Sequence, residues 1–169
     1  MSKKAPVYYW DSCCFIDLLQ KTPGRIDELE AIRKTAEQGK AVIATSSLTL
    51  AEVVKTDSGG VSDQDEALIA KLFSEPYIKV RLLDRPTATE ARSVHRSLGL
   101  KPPDCIHVAT AVLANATELH TYDDKRLLKK DGQYGNPGLR IVRPRPGQLA
   151  LAPSQEEGIG ITAGEPADE

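Results

Sequence analysis

The chain has 169 residues, of which 40% are hydrophobic, and carries a formal net charge of -2. This length and composition predict one domain with a substantial core, and a pI near 6 excludes a strongly basic nucleic-acid coat protein. The sequence contains no apolar run long enough to span a bilayer and no secretory signal after its N-terminal lysines. We therefore expect a soluble, cytoplasmic protein.

Strands and helices alternate along the sequence. We predict strands at residues 7–10, 41–44, 77–83, 118–122 and 141–142, and helices near 13–19, 26–36, 48–54, 62–73, 87–98, 102–112 and 125–130. This alternation indicates an α/β fold with βαβ units, a mostly parallel sheet and helices on both faces. Alternating apolar and basic residues put strand 77–83 toward a sheet edge. The helix at 62–73 is expected to bury Leu68, Ile69 and Leu72.

Four acids are placed where such a sheet gathers its functional groups. Asp11 follows the first strand, Glu52 lies in the first turns of the helix after the second strand, and Asp123 follows strand 118–122. Asp104 lies in the first turn of the helix that Pro102 and Pro103 open. Taken singly, Asp104 complements a helix dipole and Glu52 is a surface acid. Ligands bind at the carboxyl ends of parallel strands, however, so we expect all four carboxylates to converge.

Converging carboxylates require a cation, because like charges raise one another's pKa. An all-oxygen site suits Mg²⁺ or Mn²⁺, and such ions activate water and neutralise the charge that develops when a phosphodiester is cut. A zinc site formed by Cys13, Cys14, Cys105 and His107 is an alternative, but no C-x-x-C pair supports it. The odd number of cysteines predicts reduced thiols.

Asp123 and Asp124 are adjacent in the sequence and equally acidic. If the strand continues through Tyr122, Asp123 faces the same side as Thr121, and Asp124 faces away and caps a helix beginning at Lys125. We therefore assign the metal-side role to Asp123.

Basic residues precede Asp104 in the sequence. They are Arg92, His95, Arg96 and Lys101. They form either a basic patch beside Asp104 or a solvated helix face.

The segments 9–12, 47–52, 103–111 and 119–123 together resemble the PIN-domain family, including toxin ribonucleases of the VapC type. The resemblance covers roughly Val7 to Val142. It implies a PIN-like three-layer α/β/α sandwich and metal-dependent RNA cleavage. It also implies an RNA substrate, a homodimer and, for a toxin, a cognate antitoxin.

The resemblance further assigns individual positions. Four acids correspond to the family's metal and catalytic positions: Asp11, Glu52, Asp104 and Asp123. Ser12 and Thr121 correspond to the accompanying polar positions, which we assign to substrate binding. Cys13 departs from the pattern, since many relatives have asparagine or another polar residue there.

Two other classes of function remain open from the sequence. One is a catalytically silent PIN-like domain that binds RNA or a protein, although such domains often lack one or more of the acids. The other is a haloacid-dehalogenase-like phosphatase, which would want a second aspartate where Cys13 stands. A nucleotide-binding module is disfavoured because no glycine-rich phosphate loop follows a strand.

The last part of the sequence is expected to be separate from the domain. Residues 1–146 form the predicted nuclease domain, and Gly147–Glu169 is poor in aromatic residues and rich in Pro, Gly, Glu and Ala, which predicts a disordered tail.

Deleting Gly147–Glu169 should therefore leave the thermal midpoint of unfolding nearly unchanged. Differential scanning calorimetry of the truncated chain checks this, and a loss of several degrees would move the domain boundary.

Overall fold

The computed structural model describes residues 4–54 and 62–146. The strands are β1 (Val7–Trp10), β2 (Val42–Ser46), β3 (Ile78–Arg81), β4 (Glu118–His120) and β5 (Arg140–Val142). The helices are α1 (Ser12–Gln20), α2 (Ile26–Glu37), α3 (Ser47–Glu52), α4 (Asp63–Phe73), α5 (Arg85–Leu98) and α6 (Pro102–Leu113), followed by a 3-10 turn at Leu128–Lys130. The predicted tail lies outside the described residues.

The five strands form one parallel sheet in the order β3-β2-β1-β4-β5. Strand β1 is central, and β3 is at an edge as its alternating sequence predicts. Because every pair is parallel, Asp11, Ser46 and Thr121 follow or end their strands at the same side of the sheet. The prediction of an α/β fold with a parallel sheet is confirmed.

Alternate residues of β1 divide the core between the two faces of the sheet. Tyr9 packs with α5 and α6, in a cluster that includes Val94, Val108 and Leu119. Trp10 packs on the opposite face, in a cluster with residues of α1, α2 and α4 such as Phe15. Successive side chains of a strand point to opposite faces, so a fully apolar β1 is buried on both sides. The result is the predicted three-layer sandwich.

Local sequence signals set the ends of the helices that carry the site. The Asp11 side chain caps α1 by accepting a hydrogen bond from the Cys14 backbone N–H. Helix α6 starts at Pro102 and Pro103, where a missing N–H costs nothing. Gly99 ends α5 in the left-handed conformation, with φ of 65°, which turns the chain toward α6.

Three local predictions are wrong. Strand β4 ends at His120 rather than at Tyr122, and the predicted helix from Lys125 is a turn followed by a single 3-10 turn at Leu128–Lys130. Leu68 is 57% exposed, although its neighbour Ile69 is buried as expected. Helix α4 thus has a narrower buried stripe than its apolar residues suggest.

Other features of the described residues bear on the cysteines and on membrane insertion. All three cysteines are free thiols. Among residues 4–54 and 62–146, no helix has both the length and the apolar character needed to cross a membrane.

Leu68 and Ile69 offer a matched test of helix α4. Replacing Ile69 with alanine should lower the free energy of unfolding by about 2–4 kcal/mol, because it removes buried methyl groups and leaves a cavity. The same change at Leu68 should alter it by less than about 0.5 kcal/mol. Urea denaturation of both variants measures the difference, and equal losses would mean that the Leu68 side chain is covered in solution.

Candidate active site

The Asp11 carboxylate joins β1, α1 and the segment after β4. One of its oxygens accepts hydrogen bonds from the Cys13 thiol at 2.7 Å and from the Cys14 backbone N–H at 3.4 Å. Its other oxygen accepts from the Thr121 hydroxyl. Thr121 Oγ1 in turn accepts from the Asp123 backbone N–H at 3.0 Å. Asp11 is only 5% exposed, so these contacts fix it firmly.

Glu52 is held by a buried histidine. His107 Nε2 lies 2.9 Å from Glu52 Oε2, and His107 Nδ1 lies 2.8 Å from the Tyr9 hydroxyl. The hydrogen bond from His107 is the main cause of a lowered Glu52 pKa, and the Ser12 hydroxyl also contributes. An ionised carboxylate only accepts, so Nε2 carries the proton toward Glu52, and in the neutral imidazole Nδ1 accepts from the Tyr9 hydroxyl.

Asp104 and Asp123 share one cation. Arg126 Nη1 lies 3.2 Å from Asp104 Oδ2, and Arg126 Nε lies 3.0 Å from Asp123 Oδ2. The ion pair with Asp104 lacks hydrogen-bond geometry, so Asp104 Oδ2 is buried without a hydrogen-bond partner among the described residues. The guanidinium thus bridges a carboxylate from α6 and one from the segment after β4.

The electrostatic environment of Asp104 places it among the other acids. Burial raises the pKa of the Asp104 carboxyl, and the charges of Asp123 and Asp11 raise it further. Arg126 and His107 act in the opposite direction. Three of the four predicted acids are therefore in electrostatic contact. Glu52 is linked to the same group through His107.

Among the described residues, the four acids do not form one group whose oxygen atoms lie close enough together to hold a metal ion as the side chains stand. One group of three possible ligands is present there, formed by Asp11, Cys13 and Cys14, whose ligand atoms all lie within 4.8 Å of one another. The alternative zinc site is not assembled there, because the Cys105 thiol donates to the Leu100 carbonyl oxygen and His107 is engaged with Glu52.

Asp124 does not have the capping role that the sequence suggests. It is Asp123 Oδ1 that accepts from the backbone N–H groups of Lys125 and Arg126, at 3.1 and 3.0 Å. The Asp124 side chain is 65% exposed and lies 3.9 Å from Arg143. Asp123 therefore both caps this turn and faces Arg126.

The basic residues that precede Asp104 in the sequence form no ion pair with the four acids within the described residues. Arg92, His95 and Arg96 are exposed and line a groove of about 510 Å³ between α5 and α6. The cation that contacts Asp104 is Arg126, which no sequence motif singles out. Its one sequence signal is its position three residues after Asp123.

His107 is suggested by the sequence only as a zinc ligand. A signal for its actual contacts is present, since it lies one turn beyond Asp104 on an apolar helix, where a buried histidine needs polar partners. Ser12 and Thr121 both contact site carboxylates, and their role in substrate binding stays a prediction.

Known proteins share this arrangement of elements. The PIN domain family model matches residues 8–132. No curated protein sequence gives a significant match. One similar solved structure is a toxin-antitoxin complex from Klebsiella pneumoniae, at 26% identity and a TM-score of 0.56, covering 81% of this chain and 97% of that one.

Two more distant structures share the fold. VapBC2 from Rickettsia felis, bound to a DNA fragment from its promoter, matches with a TM-score of 0.58 at 17% identity, over 80% of this chain and 96% of that one. VapC20 of Mycobacterium tuberculosis, named as a Sarcin-Ricin loop cleaving toxin, matches with a TM-score of 0.54 at 13% identity, over 70% and 91%. The family match spans β1 to β4 and every acid described above, and the chain belongs to the PIN domain family.

Proposed function

We propose that the protein is a divalent-metal-dependent endoribonuclease that acts as the toxin of a toxin-antitoxin pair. The observation that carries the proposal is the grouping of Asp11, Asp104 and Asp123, which come from three separate segments, with Arg126 paired to Asp104 and Asp123. Buried like charges are unfavourable, and folded proteins keep them where a charge is used. Membership of the PIN domain family removes the phosphatase alternative.

The residues fit a hard divalent ion. Asp104 Oδ2 is a buried oxygen without a hydrogen-bond partner in the described part of the chain, and Arg126 brings a positive charge between Asp104 and Asp123. Carboxylate oxygens are the donors that Mg²⁺ and Mn²⁺ prefer. Asp11, Asp104 and Asp123 would hold the ion, with Glu52 beside them. When bound, it lowers the pKa of an attacking water and neutralises charge on the phosphate.

The protein's own residues prepare the site for that ion. Thr121 and Cys13 orient Asp11 through its two oxygens. His107 keeps Glu52 ionised and aimed, and the pKa of Tyr9 is raised by burial, so its hydroxyl keeps the proton that it donates to His107. We assign Glu52 the role of a proton acceptor or outer carboxylate, because it is 29% exposed and its contact with His107 uses one oxygen, Oε2.

The partners follow from the same proposal. The substrate is RNA, and the structural neighbour that is described as a toxin-antitoxin complex supports a cognate antitoxin. An antitoxin would have to cover the acidic site. A basic side chain of the antitoxin could do this by pairing with the acids where Arg126 now lies. A homodimer and a cytoplasmic location complete the proposal.

A second candidate function takes support from Arg126. A catalytically silent PIN domain that binds RNA or protein would have its acids permanently neutralised, and Arg126 already contacts two of them. Arg126 is half exposed, however, and its two ion pairs are the kind that an entering divalent ion can replace. Metal binding separates the two candidates.

Metal removal is the direct test of the proposed function. Cleavage of single-stranded RNA should require Mg²⁺ or Mn²⁺, stop in excess EDTA and return when the ion is restored. Either ion should also raise the thermal midpoint of the wild type, and Asp104→Asn should abolish that increase. Undiminished cleavage in EDTA would refute the proposal, and the absence of both cleavage and metal stabilisation would favour the silent domain.

Asp123 and Asp124 form a matched pair for the site. Asp123→Asn should slow cleavage by about two orders of magnitude or more with little change in stability, because the asparagine oxygen still accepts from the two backbone N–H groups. Asp124→Asn should leave both nearly unchanged, since that side chain is exposed. Single-turnover cleavage and thermal unfolding of the two variants decide the assignment, which is wrong if Asp124→Asn is the more damaging change.

A further inference from the structure

A second cavity with a basic lining lies beside the carboxyl end of β5. It has a volume of about 360 Å³, and we call it the arginine pocket. The charged and aromatic side chains of its lining are Arg25, Glu28, Tyr122, Arg143 and Arg145. Three arginines face one acid in this lining, so the pocket has a net positive charge.

The arginine pocket adjoins the acidic site through Tyr122. Tyr122 lies between Thr121 and Asp123 in the sequence. Thr121 donates a hydrogen bond to Asp11, and Asp123 is one of the four acids and pairs with Arg126. The Tyr122 backbone N–H also donates to Cys13 Sγ at 3.3 Å, and the Cys13 thiol donates to Asp11. A ligand in the pocket would therefore lie next to a ligand at the acids.

The arginines of the pocket are held in different ways. Arg25 is preorganised, because its Nη1 donates to Asp17 at 2.7 Å and its guanidinium lies over the Tyr122 ring at 4.2 Å. Arg143 and Arg145 are 64% and 60% exposed, and their nearest acids lie at 3.9 and 3.5 Å. Such loose, exposed pairs leave two guanidinium groups free to bind an anion.

Tyr122 provides an independent sign of a missing partner. Its hydroxyl oxygen is buried and makes no hydrogen bond within the described residues. A phenol hydroxyl is protonated at neutral pH, so it can donate a hydrogen bond. Buried donors without a partner are rare in folded proteins, and a ligand oxygen would satisfy this one if binding opens the pocket wall around the Tyr122 ring.

We propose that the arginine pocket binds a backbone phosphate of single-stranded RNA, next to the phosphodiester at the acids. The inference rests on the proposed function and adds the path of the substrate strand to it. Guanidinium groups bind phosphate oxygens in a bidentate manner, and a neighbouring aromatic ring is typical of sites for single-stranded RNA. The groove with Arg92 and Arg96 lacks a phenylalanine, tyrosine or tryptophan in its lining.

The test measures binding of a short fluorescein-labelled single-stranded RNA to the full chain in EDTA, where metal-dependent cleavage is absent. Arg143→Gln and Arg145→Gln should each raise the Kd about three- to tenfold. The slope of log K against log salt should become shallower by about 0.7 for each phosphate that the variant no longer neutralises. Lys40→Gln is the matched control, because it also removes one positive charge. Lys40 is exposed and precedes β2, at the end of the parallel sheet opposite to the acids, so this variant should bind as the wild type does.

The outcomes separate the pocket from the proposed function. If no metal supports cleavage but Arg143 and Arg145 still govern RNA affinity, the proposed function fails and the pocket stands. If a variant that combines Arg143→Gln with Arg145→Gln cleaves RNA with unchanged KM and binds it with unchanged Kd and salt slope, the pocket is wrong and the nuclease stands. Equal competition by polyglutamate of similar charge would also overturn the proposal, because it would show general attraction of polyanions.

Discussion

The structure depends on one carboxylate that has structural and functional duties at once. Asp11 caps α1 and accepts a hydrogen bond from Thr121, so it connects the central strand to a helix and to the segment that follows the neighbouring strand β4. Thr121 then accepts from the backbone of Asp123. The position of a second acid thus follows from the first through one hydroxyl. A site assembled in this way is as rigid as the sheet that carries it.

Charge balance constrains the remaining part of the site. Asp104 is buried near two other acids, which is tolerable only with positive charge close by. Arg126 supplies that charge from an exposed turn, not from the core. Within the described residues, the group that compensates these acids therefore lies on the solvent side of the site.

The sequence predicts the parallel sheet well, because the spacing of apolar residues distinguishes strands from helices. It also places the acids along the chain, because functional residues of a parallel sheet follow the carboxyl ends of its strands. The side-chain partners are less accessible. The error at Asp124 comes from the assumption that β4 continues through Tyr122, whereas β4 ends at His120 and the turn that begins at Asp124 is capped by Asp123. The helical spacing of apolar residues places Leu68 in the core. That spacing does not reveal how wide a stripe of helix α4 the neighbouring elements cover.

The two buried histidines illustrate why residue type alone does not identify a site. His120 accepts from the Trp10 indole N–H at 3.2 Å, and its other nitrogen lies 3.0 Å from Glu118. His107 has a similar pair of partners in Tyr9 and Glu52. Glu118 begins β4, away from the strand ends that carry the acids, whereas Glu52 follows β2 at that edge. The location of the paired carboxylate, not the histidine, distinguishes them.

The family resemblance of the sequence implies asparagine or another polar residue where this chain has Cys13, and the Cys13 thiol makes polar contacts of its own. The thiol donates to Asp11, and its sulfur accepts from the Tyr122 backbone N–H at 3.3 Å. An asparagine side chain also combines a donor and an acceptor, so a thiol can make the same pair of contacts, although both are weaker for sulfur. The requirement at this position is thus a small side chain that links Asp11 to the segment after β4. Cysteine meets it without adding charge to a site that already has to balance its acids.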